Sequence, residues 1–375
     1  MLIKLKMMKS CLLLLLLLVL VLGVAVCVVD SVLVRGLKYF ETPLSWQDAQ
    51  SSCRRSNRDL ALIRQAAELD GVSMTDYQAW TGLHRDSILR YWLWPNGLFL
   101  DHHYWANNGP HISEDCGLVA FFNRRFYGSS CSRFSFFFCE TRLSPAPTEY
   151  VFIAQAKTWA DAQLYCREHH GDLAEFSSSS SLDDAVIAYD FPVWTGLHRD
   201  GGEWRWSSGS SQFRQWGSQQ PGAGDCVSIS SIKKTMATQD CSARFPYLCY
   251  YDNLLLVKEN KTWQEALEHC RDLEPLVRGD PDRYRNHRYD LASLQPGDEQ
   301  LYATDRIGEA TTDEVWAGLR FLAGQWLWVN VAQVSTVDLP RCPAETQRCA
   351  ALAQQTGSWQ ARDCTERKNF LCYRK

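Results

Sequence analysis

The sequence predicts three tandem domains of mixed helix and strand, and two regularities support this prediction. Twelve of the fifteen cysteines fall into three blocks of four, and in every block the last three are separated by 15 and then 8 residues. The word WTGLHRD occurs at residues 80–86 and again at 194–200, and a degenerate copy, WAGLR, stands at 316–320. Such regularity does not arise by chance, so the blocks indicate one structural unit used three times.

The first residues are set apart from the repeats by their composition. Lys4, Lys6 and Lys9 precede an unbroken apolar run over residues 11–29, which is typical of a secretory signal peptide, predicted here at residues 1–27. Because the run is long enough to cross a bilayer, an anchor at residues 11–29 is the alternative. Either interpretation places the repeats outside the cytosol, where disulfides persist. The net charge of −4 offers no basic surface for nucleic acid.

Each block is predicted to open with a capped helix that carries its first cysteine. A hydroxyl residue is followed three positions later by a carboxylate, which is a capping-box pattern. The pairs are Ser45 and Asp48, Thr158 and Asp161, and Thr262 and Glu265. Within each helix Trp, Ala and Cys fall at i, i+3 and i+7, so they share one face and the cysteine points to the core.

The repeated word is predicted to be a buried strand and not a binding site. A large ring followed by a small residue, a glycine and a leucine suits a strand that another backbone approaches closely. A Trp-x-Trp pair follows in each block, and its spacing of two places both rings on one face of a strand. We therefore expect Trp80, Trp194 and Trp316 to lie in the cores of their blocks.

The spacing of these elements sets the expected domain boundaries. We expect domains over residues 30–141, 148–250 and 251–375. A stiff, proline-containing segment at residues 143–148 joins the first two blocks, whereas the second and third blocks abut almost directly.

The order of capped helix, Cys, Trp-x-Gly-Leu, Trp-x-Trp and three further cysteines resembles the C-type lectin-like domain family. The resemblance covers nearly all of the chain after the leader, in three copies, and the tandem arrangement is similar to that of mannose-receptor-type proteins. It implies an α+β fold in every block, with two helices, small antiparallel sheets and two disulfides.

The disulfide pairing is also implied by the resemblance, since the residues alone leave three pairings open in each block. First with fourth and second with third gives Cys53–Cys139, Cys116–Cys131, Cys166–Cys249, Cys226–Cys241, Cys270–Cys372 and Cys349–Cys364. Cys342 has no partner in this scheme, and we expect it to be free or to form an intermolecular disulfide. The sequon at Asn260 predicts an attached glycan.

Calcium binding is the family property that these blocks fit least. Sugar-binding members hold Ca²⁺ with a Glu-Pro-Asn type triplet, a Glu two residues before the second cysteine, and a Trp-Asn-Asp triplet that ends three before the third. The aligned residues are 109–111, Glu114 and 126–128 in block one, 220–222, Gly224 and 236–238 in block two, and 339–341, Gln347 and 359–361 in block three. Because Ca²⁺ needs six to eight oxygen ligands and only Glu114 retains a carboxylate, we expect no metal site.

The resemblance implies an extracellular, non-catalytic recognition protein whose partner is a glycan or a glycoprotein. The sequence contains no nucleophile elbow, metalloprotease helix or phosphate loop, so no enzyme is expected. The alternative is a Ca²⁺-independent module that binds a protein receptor through the same loops. The candidate ligand-binding residues are His111, Glu114, Gln220 and Trp359.

Overall fold

A computed structural model describes residues 33–55, 59–99, 104–106, 109–141, 148–176, 178–209, 211–276, 286–330, 334 and 338–375. The expected signal peptide at residues 1–27 and the alternative anchor at residues 11–29 lie outside these ranges. The described chain divides into two compact units, of which one covers residues 35–252 and the other residues 253–375 with Leu33 and Val34.

Block one begins with a strand and a capped helix. Its elements are β1 (Arg35–Leu44), α1 (Trp46–Arg54), β2 (Asp59–Leu60), a 3-10 helix (Ala66–Leu69), β3 (Gln78–Arg85), β4 (Trp92–Leu93), β5 (Cys116–Ala120), β6 (Phe126–Ser129) and β7 (Ser135–Thr141). The predicted cap on α1 is confirmed, because the Ser45 hydroxyl accepts a hydrogen bond from the Asp48 N–H at 3.2 Å.

Block two repeats this order with a second α-helix in place of the 3-10 helix. Its elements are β8 (Glu149–Lys157), α2 (Trp159–His169), β9 (Asp172–Leu173), α3 (Ser179–Ala185), β10 (Pro192–Asp200), β11 (Glu203–Trp206), β12 (Cys226–Ser230), β13 (Met236–Gln239) and β14 (Phe245–Asp252). Thr158 caps α2 through the Asp161 N–H at 3.3 Å.

Block three has the same succession of elements. They are β15 (Leu254–Lys261), α4 (Trp263–Asp272), β16 (Tyr289–Leu291), α5 (Asp298–Ile307), β17 (Glu314–Leu322), β18 (Gln325–Trp328), β19 (Cys349–Ala353), β20 (Trp359–Arg362) and β21 (Lys368–Arg374). Thr262 and Glu265 form the complete, reciprocal capping box at the start of α4.

The strands form three sheets, and among the described residues only block three builds its sheet alone. Its order is β15-β21-β17-β19-β20. The other two sheets combine blocks one and two in the orders β1-β14-β10-β12-β13 and β6-β5-β3-β7-β8. The N-terminal segment of each block therefore completes the sheet of the other. We call the two composite bodies lobe A (residues 35–63 and 192–252) and lobe B (residues 78–141 and 148–176).

Equivalent hydrogen bonds attach the N-terminal helix in lobe A, lobe B and block three. In lobe A the Trp46 indole N–H donates to the Thr195 carbonyl at 2.8 Å, and the Trp194 indole donates to the Leu44 carbonyl at 2.9 Å. The matching bonds are 2.8–3.0 Å long and join Trp159 to Thr81, Trp80 to Lys157, Trp263 to Ala317 and Trp316 to Lys261. The same contacts thus serve a helix from the same block or from its neighbour.

This exchange corrects two of the expected disulfides. Cys53 pairs with Cys249 and Cys139 pairs with Cys166, so the expected pairs Cys53–Cys139 and Cys166–Cys249 are wrong. The remaining bonds are those that the resemblance implies, namely Cys116–Cys131, Cys226–Cys241, Cys270–Cys372 and Cys349–Cys364. The physical reason is that β3 and β10 carry the same WTGLHRD word, so each offers the same carbonyl groups and ring surfaces to either helix.

A cluster of aromatic rings fills the core where the two lobes meet. Phe152 stacks on Tyr189 with ring centroids 4.5 Å apart, and Tyr77 packs edge-on against Phe191 at 6.0 Å. The Tyr77 phenol donates a hydrogen bond to the Ile187 carbonyl at 2.9 Å, and burial raises the pKa of this phenol. The phenol therefore stays a donor at neutral pH, and the segments that cross between the lobes are fixed by packing.

The tryptophan of the repeated word belongs to the core in every copy. Trp80, Trp194 and Trp316 are each 0% exposed. The prediction that this word marks a buried strand is therefore confirmed, and its ring does not face a ligand.

Candidate functional site

The His-Arg-Asp end of the repeated word has a structural explanation in the exchange. The His84 ring lies 5.4 Å from that of Trp159, and the His198 ring lies 4.7 Å from that of Trp46. Each histidine therefore covers the helix tryptophan that the other block supplies. Block three places Arg320 there, with its guanidinium 5.0 Å from the Trp263 ring.

The next residue of the word, Arg85, holds the candidate binding loop of block one. It donates hydrogen bonds to the carbonyl groups of His111 at 2.6 Å and Ile112 at 2.9 Å. Its side chain also lies 3.7 Å from the Asp115 carboxylate. The candidate residue His111 is thus fixed through its backbone, while its side chain remains exposed.

Glu114, the one carboxylate at a calcium-ligand position, bonds to its own loop. Its Oε2 accepts a hydrogen bond from the His111 N–H at 2.6 Å. The same carboxylate lies against Gly128, where a Cβ would collide with it. Gly128 occupies the last position of the Trp-Asn-Asp type triplet, so Glu114 fills space that an aspartate side chain would need.

In block two the aligned positions bond directly to each other. The Gln220 side-chain oxygen accepts hydrogen bonds from both the N–H and the hydroxyl of Thr238, each at 2.9 Å. It also accepts one from the Gly222 N–H at 3.2 Å. Two positions that would each supply a metal ligand in a calcium-binding relative are therefore joined by protein hydrogen bonds.

The third ligand position of block two excludes a side chain altogether. A Cβ on Gly224 would collide with the backbone of Gln239, so no carboxylate fits there without moving β13. The loop prolines nevertheless persist, and the Gly109–Pro110 and Gln220–Pro221 peptide bonds are cis. The loop scaffold is present in these two blocks, while the metal-ligand chemistry is not.

Block three carries an open cavity of about 460 Å³ at the aligned positions, lined by Gln347, Trp359 and Gln360 among others. Trp359 is only 5% exposed, and its ring packs edge-on against Trp328 at 5.6 Å. The candidate residue Trp359 is thus mainly a core residue. The amide groups of Gln347 and Gln360 give this cavity hydrogen-bonding groups but no carboxylate pair.

These arrangements do not fit a calcium ion. Ca²⁺ takes six to eight oxygen ligands, several of them from carboxylates, whereas Glu114 and Gln220 are already bonded within their own loops. Across the described ranges, no group of three or more His, Cys, Asp or Glu side chains could hold a metal.

Backbone donors keep carboxylates near the loops ionised. The N–H groups of Leu89 and Ile88 donate to Asp86 at 2.6 and 2.9 Å and lower the pKa of its carboxyl group. The Ser242 N–H acts in the same way on Asp240 and lowers its pKa. Both groups are charged at neutral pH and stabilise turns.

The sequence predictions missed an exposed apolar cluster on block one. Its members are between 58% and 88% exposed and comprise Ile88, Leu89, Tyr91, Leu98, Phe99 and Ile112. The rings of Tyr91 and Phe99 contact each other at 5.8 Å, and Arg85 ties Ile112 to the end of β3. A signal was present in the sequence, because the apolar pair 88–89 stands where block two has Gly201-Gly202, and the apolar pair 98–99 stands where block two has Ser210-Ser211.

The sequence predictions also missed an open cavity of about 600 Å³ in lobe A. One wall is the N-terminus of α1 from block one, and the others are the strand ends of block two, with Arg199, Asp225, Asp240 and Arg244 in the lining. No sequence signal indicated it, because residues 45–47 reach this place only through the exchange.

The two modification predictions fall on accessible residues. Cys342 is an exposed free thiol. Asn260 is exposed on β15, where its side-chain oxygen accepts a hydrogen bond from the Asn369 amide at 2.8 Å. The attached glycan and the intermolecular disulfide stay predictions. Within the described ranges, no helix combines the length and the apolar character that crossing a membrane requires.

Comparison with known proteins identifies the repeats. The model of the Lectin C-type domain matches residues 42–141, 155–251 and 259–374. The secretory phospholipase A2 receptor of Homo sapiens is 23% identical over 57% of this chain, and C-type mannose receptor 2 of Homo sapiens is 21% identical over 89% of it. The chain spans only 17% and 26% of the length of those two receptors.

Shorter relatives match single blocks. Lithostathine-1-alpha of Homo sapiens is 34% identical over 28% of this chain and 72% of its own length. The crystal structure of human lithostathine matches 34% of this chain and 83% of its own, with 20% identity and a TM-score of 0.27. The carbohydrate-recognition domain of cow CD23 matches 33% of this chain and 88% of its own, with 19% identity and a TM-score of 0.25.

The family match covers most of the chain, and four disulfides of the described residues have the pairing that the family resemblance implies. C-type lectin domains are non-catalytic, and together with several disulfides they indicate extracellular domains. This chain belongs to the C-type lectin domain family and carries three copies of the domain, related distantly to those of mannose receptor 2 and the phospholipase A2 receptor.

Proposed function

We propose that this chain is a secreted, non-catalytic recognition protein that binds a glycan or glycoprotein without Ca²⁺. The observation that carries the proposal is the bonding of Gln220 to Thr238 in block two. A metal that bound there would have to break these hydrogen bonds, and none of the aligned positions of block two carries a carboxylate to compensate for them. Ligand binding in this chain therefore depends on direct hydrogen bonds and packing.

The family membership and the cavities support the glycan as ligand class. Sugar hydroxyls both donate and accept hydrogen bonds, and amide side chains such as Gln347 and Gln360 can do the same. Both line the cavity of about 460 Å³ in block three, which has the volume of a small-ligand site.

A glycan array tests the proposal directly. The secreted chain is applied once with added CaCl₂ and once with excess EDTA, and a calcium-dependent C-type lectin on the same array verifies that chelation is complete. We expect the same glycans to be bound with the same strength in both conditions. Binding that disappears in EDTA would show that a calcium site exists and would overturn the proposal.

A protein receptor is the second candidate, and the apolar cluster of block one favours it. Monomeric soluble proteins rarely expose a contiguous apolar patch of this kind unless it contacts a partner. If a protein is the ligand, replacing Ile88 and Phe99 by Asp abolishes capture of that protein, while the matched changes Ile232→Asp and Leu322→Asp, at exposed residues of blocks two and three, leave it intact. No glycan signal in any condition, together with such a capture, would replace the glycan by the protein ligand.

Secretion and the two modifications belong to the same proposal. N-terminal sequencing of material from the culture medium is expected to begin after residue 27. An N-terminus that retains residues 11–29 on cell membranes would show an anchor instead. A mass loss on treatment with an N-glycosidase tests Asn260, and a dimer band that requires intact Cys342 on a non-reducing gel tests the intermolecular disulfide.

A further inference from the structure

The lining of the cavity of lobe A includes none of the aligned calcium positions 220–222, 224 and 236–238, although Asp225 directly follows Gly224. The disulfide Cys226–Cys241 forms part of its lining, and Ser45, Trp46 and Gln47 from block one close one side. The Trp46 backbone N–H donates to the Cys241 carbonyl at 3.1 Å and so fixes the helix end to this disulfide. The cavity therefore exists only where the exchanged helix of block one docks on block two.

Charged groups of both signs stand side by side in this cavity. Arg199 lies 3.5 Å from Asp225 and over the Trp204 ring at 4.6 Å. Asp240 accepts hydrogen bonds from the backbone and the side chain of Ser242, with the N–H at 2.8 Å. Among the described residues no carboxylate pairs with Arg244, whose guanidinium lies over the Phe134 ring at 4.2 Å instead.

The equivalent places in lobe B and block three lack this open set of groups. Lobe B has Ser130 and Phe134 where lobe A has Asp240 and Arg244, and its Arg85 donates to the loop carbonyls of His111 and Ile112.

In block three, Arg367 is the equivalent of Arg244, but it is already paired. It bonds to Glu265 at 3.0 Å and to the Asn260 carbonyl at 3.1 Å. The lining of lobe A is thus a property of one place in the molecule and not of the fold.

The balance of donors and acceptors defines the ligand chemistry. Guanidinium groups only donate and carboxylates only accept, whereas a hydroxyl does both. Adjacent hydroxyls of an uncharged sugar can therefore bond to Arg244 and Asp240, or to Arg199 and Asp225, at the same time. Two guanidinium groups and two carboxylates leave no net charge that would select an anionic or a cationic ligand.

We propose that this cavity of lobe A is a metal-independent binding site for a neutral sugar residue, contacted through adjacent hydroxyls by Arg244, Asp240, Arg199 and Asp225. The proposal rests on the glycan ligand proposed above and assigns it a place that uses none of the aligned calcium positions. The N-terminal segment of block one is part of this site, since Gln47 and Ser45 form its rim.

Saturation-transfer NMR on the full chain tests this site with a panel of neutral methyl glycosides, glycine and methyl glucuronide as probes, in EDTA and, separately, in CaCl₂. We expect at least one neutral glycoside to receive saturation, and Arg244→Ala to weaken its binding by about tenfold or more. Arg367→Ala is the matched control, because it removes the equivalent arginine of block three, and we expect it to leave binding unchanged. Thermal unfolding verifies that both variants are folded.

The outcomes separate this site from the broader proposal. A neutral glycoside that binds in EDTA equally well to the wild type and to the Arg244→Ala variant would overturn the site, while the calcium-independent function would stand. Preference for glycine or for the glucuronide over every neutral glycoside would overturn the ligand class. Glycoside binding that appears only with CaCl₂ would overturn both.

Discussion

Blocks one and two differ from block three in which segment closes the sheet. In block three β15 and α4 pack on their own β21 and β17, and Cys270–Cys372 locks them in place. In the first two blocks the corresponding segments have changed places, yet the indole hydrogen bonds that attach them have the same lengths as in block three. Local docking contacts therefore do not determine which segment docks.

Because blocks one and two carry the same strand sequence, the N-terminal segment of either block can pack on the sheet of the other. In lobes A and B the helix packs on strands of identical sequence, WTGLHRD. Block three instead has Arg320 at the position of His84 and His198, and Glu314 at the start of β17. Glu314 bonds to Arg362 and Lys368 of its own block. A receiving strand can select the N-terminal helix of its own block only where the sequence of that strand differs from those of the other blocks.

The largest expected effect comes from Trp46→Ala. This ring is 6% exposed and docks on β10, and loss of a buried Trp costs about 3–5 kcal/mol of stability. Although Trp46 belongs to the sequence of block one, we expect hydrogen exchange to accelerate mainly in residues 192–252. Trp263→Ala is the matched variant, and its effect should stay within residues 254–374.

Faster hydrogen exchange in the other lobe would contradict this difference between block three and the first two blocks. If Trp46→Ala accelerated exchange mainly in residues 78–141, the helix of block one would belong to its own block, and lobes A and B would not be composite.

A smaller effect should distinguish block three in acid. Burial alone raises the pKa of Glu314, but hydrogen bonds from Arg362 and Lys368 outweigh it, so the net pKa is lowered from 4.5. A carboxyl group with a lowered pKa in the folded state contributes stability above its unfolded pKa and loses it as the pH falls through the folded one. Block three should therefore lose stability below about pH 4.5, while Gln78 and Pro192 at the equivalent positions cannot contribute in this way.

Glu314→Gln provides the measurement for this prediction. It should destabilise block three by about 1.5–3 kcal/mol at neutral pH, because hydrogen bonds to a charged group are lost, and it should flatten the acid dependence. Denaturant unfolding at neutral pH and at about pH 3 checks both effects. An equal acid loss in variant and wild type would remove Glu314 as its cause.

The smallest expected effect is that of Thr238→Val. The change removes the hydroxyl that donates to the Gln220 side-chain oxygen and accepts from the Gly222 N–H, and it should destabilise lobe A by about 0.5–1.5 kcal/mol. Thr235→Val, in the preceding turn, is the control with no such bond. Equal effects of the two variants on thermal unfolding would show that the Gln220–Thr238 contact does not hold the loop.

The sequence sufficed for the features that depend on local rules. The caps at Ser45, Thr158 and Thr262 follow from the preference of backbone N–H groups for a nearby hydroxyl, and the burial of Trp80 follows from its neighbours in the repeated word. The family resemblance correctly implied the three-fold α+β architecture and the 15-residue disulfides.

The exchange of N-terminal segments between blocks one and two could not be predicted, because the two strands that can receive each helix, β3 and β10, have the same sequence. β3 and β10 carry the same WTGLHRD sequence, so the receiving strand does not distinguish the helix of Cys53 from that of Cys166. Rings such as Phe152 and Tyr189, which pack where the two lobes meet, belong to other segments of the chain. The missing carboxylates at the aligned calcium positions were apparent in the sequence. The hydrogen bonds between Gln220 and Thr238 were not, because they depend on the position of β13 in three dimensions. The cavity beside Arg244 was invisible for the same reason as the exchange.

Disulfide mapping tests the central claim that lobes A and B are each assembled from both blocks. The intact secreted chain is digested without reduction at acidic pH, where thiolate exchange is suppressed, and the linked peptides are identified by mass spectrometry. We expect peptides that join Cys53 to Cys249 and Cys139 to Cys166. Peptides that join Cys53 to Cys139 and Cys166 to Cys249 would contradict it and would remove the composite cavity of lobe A.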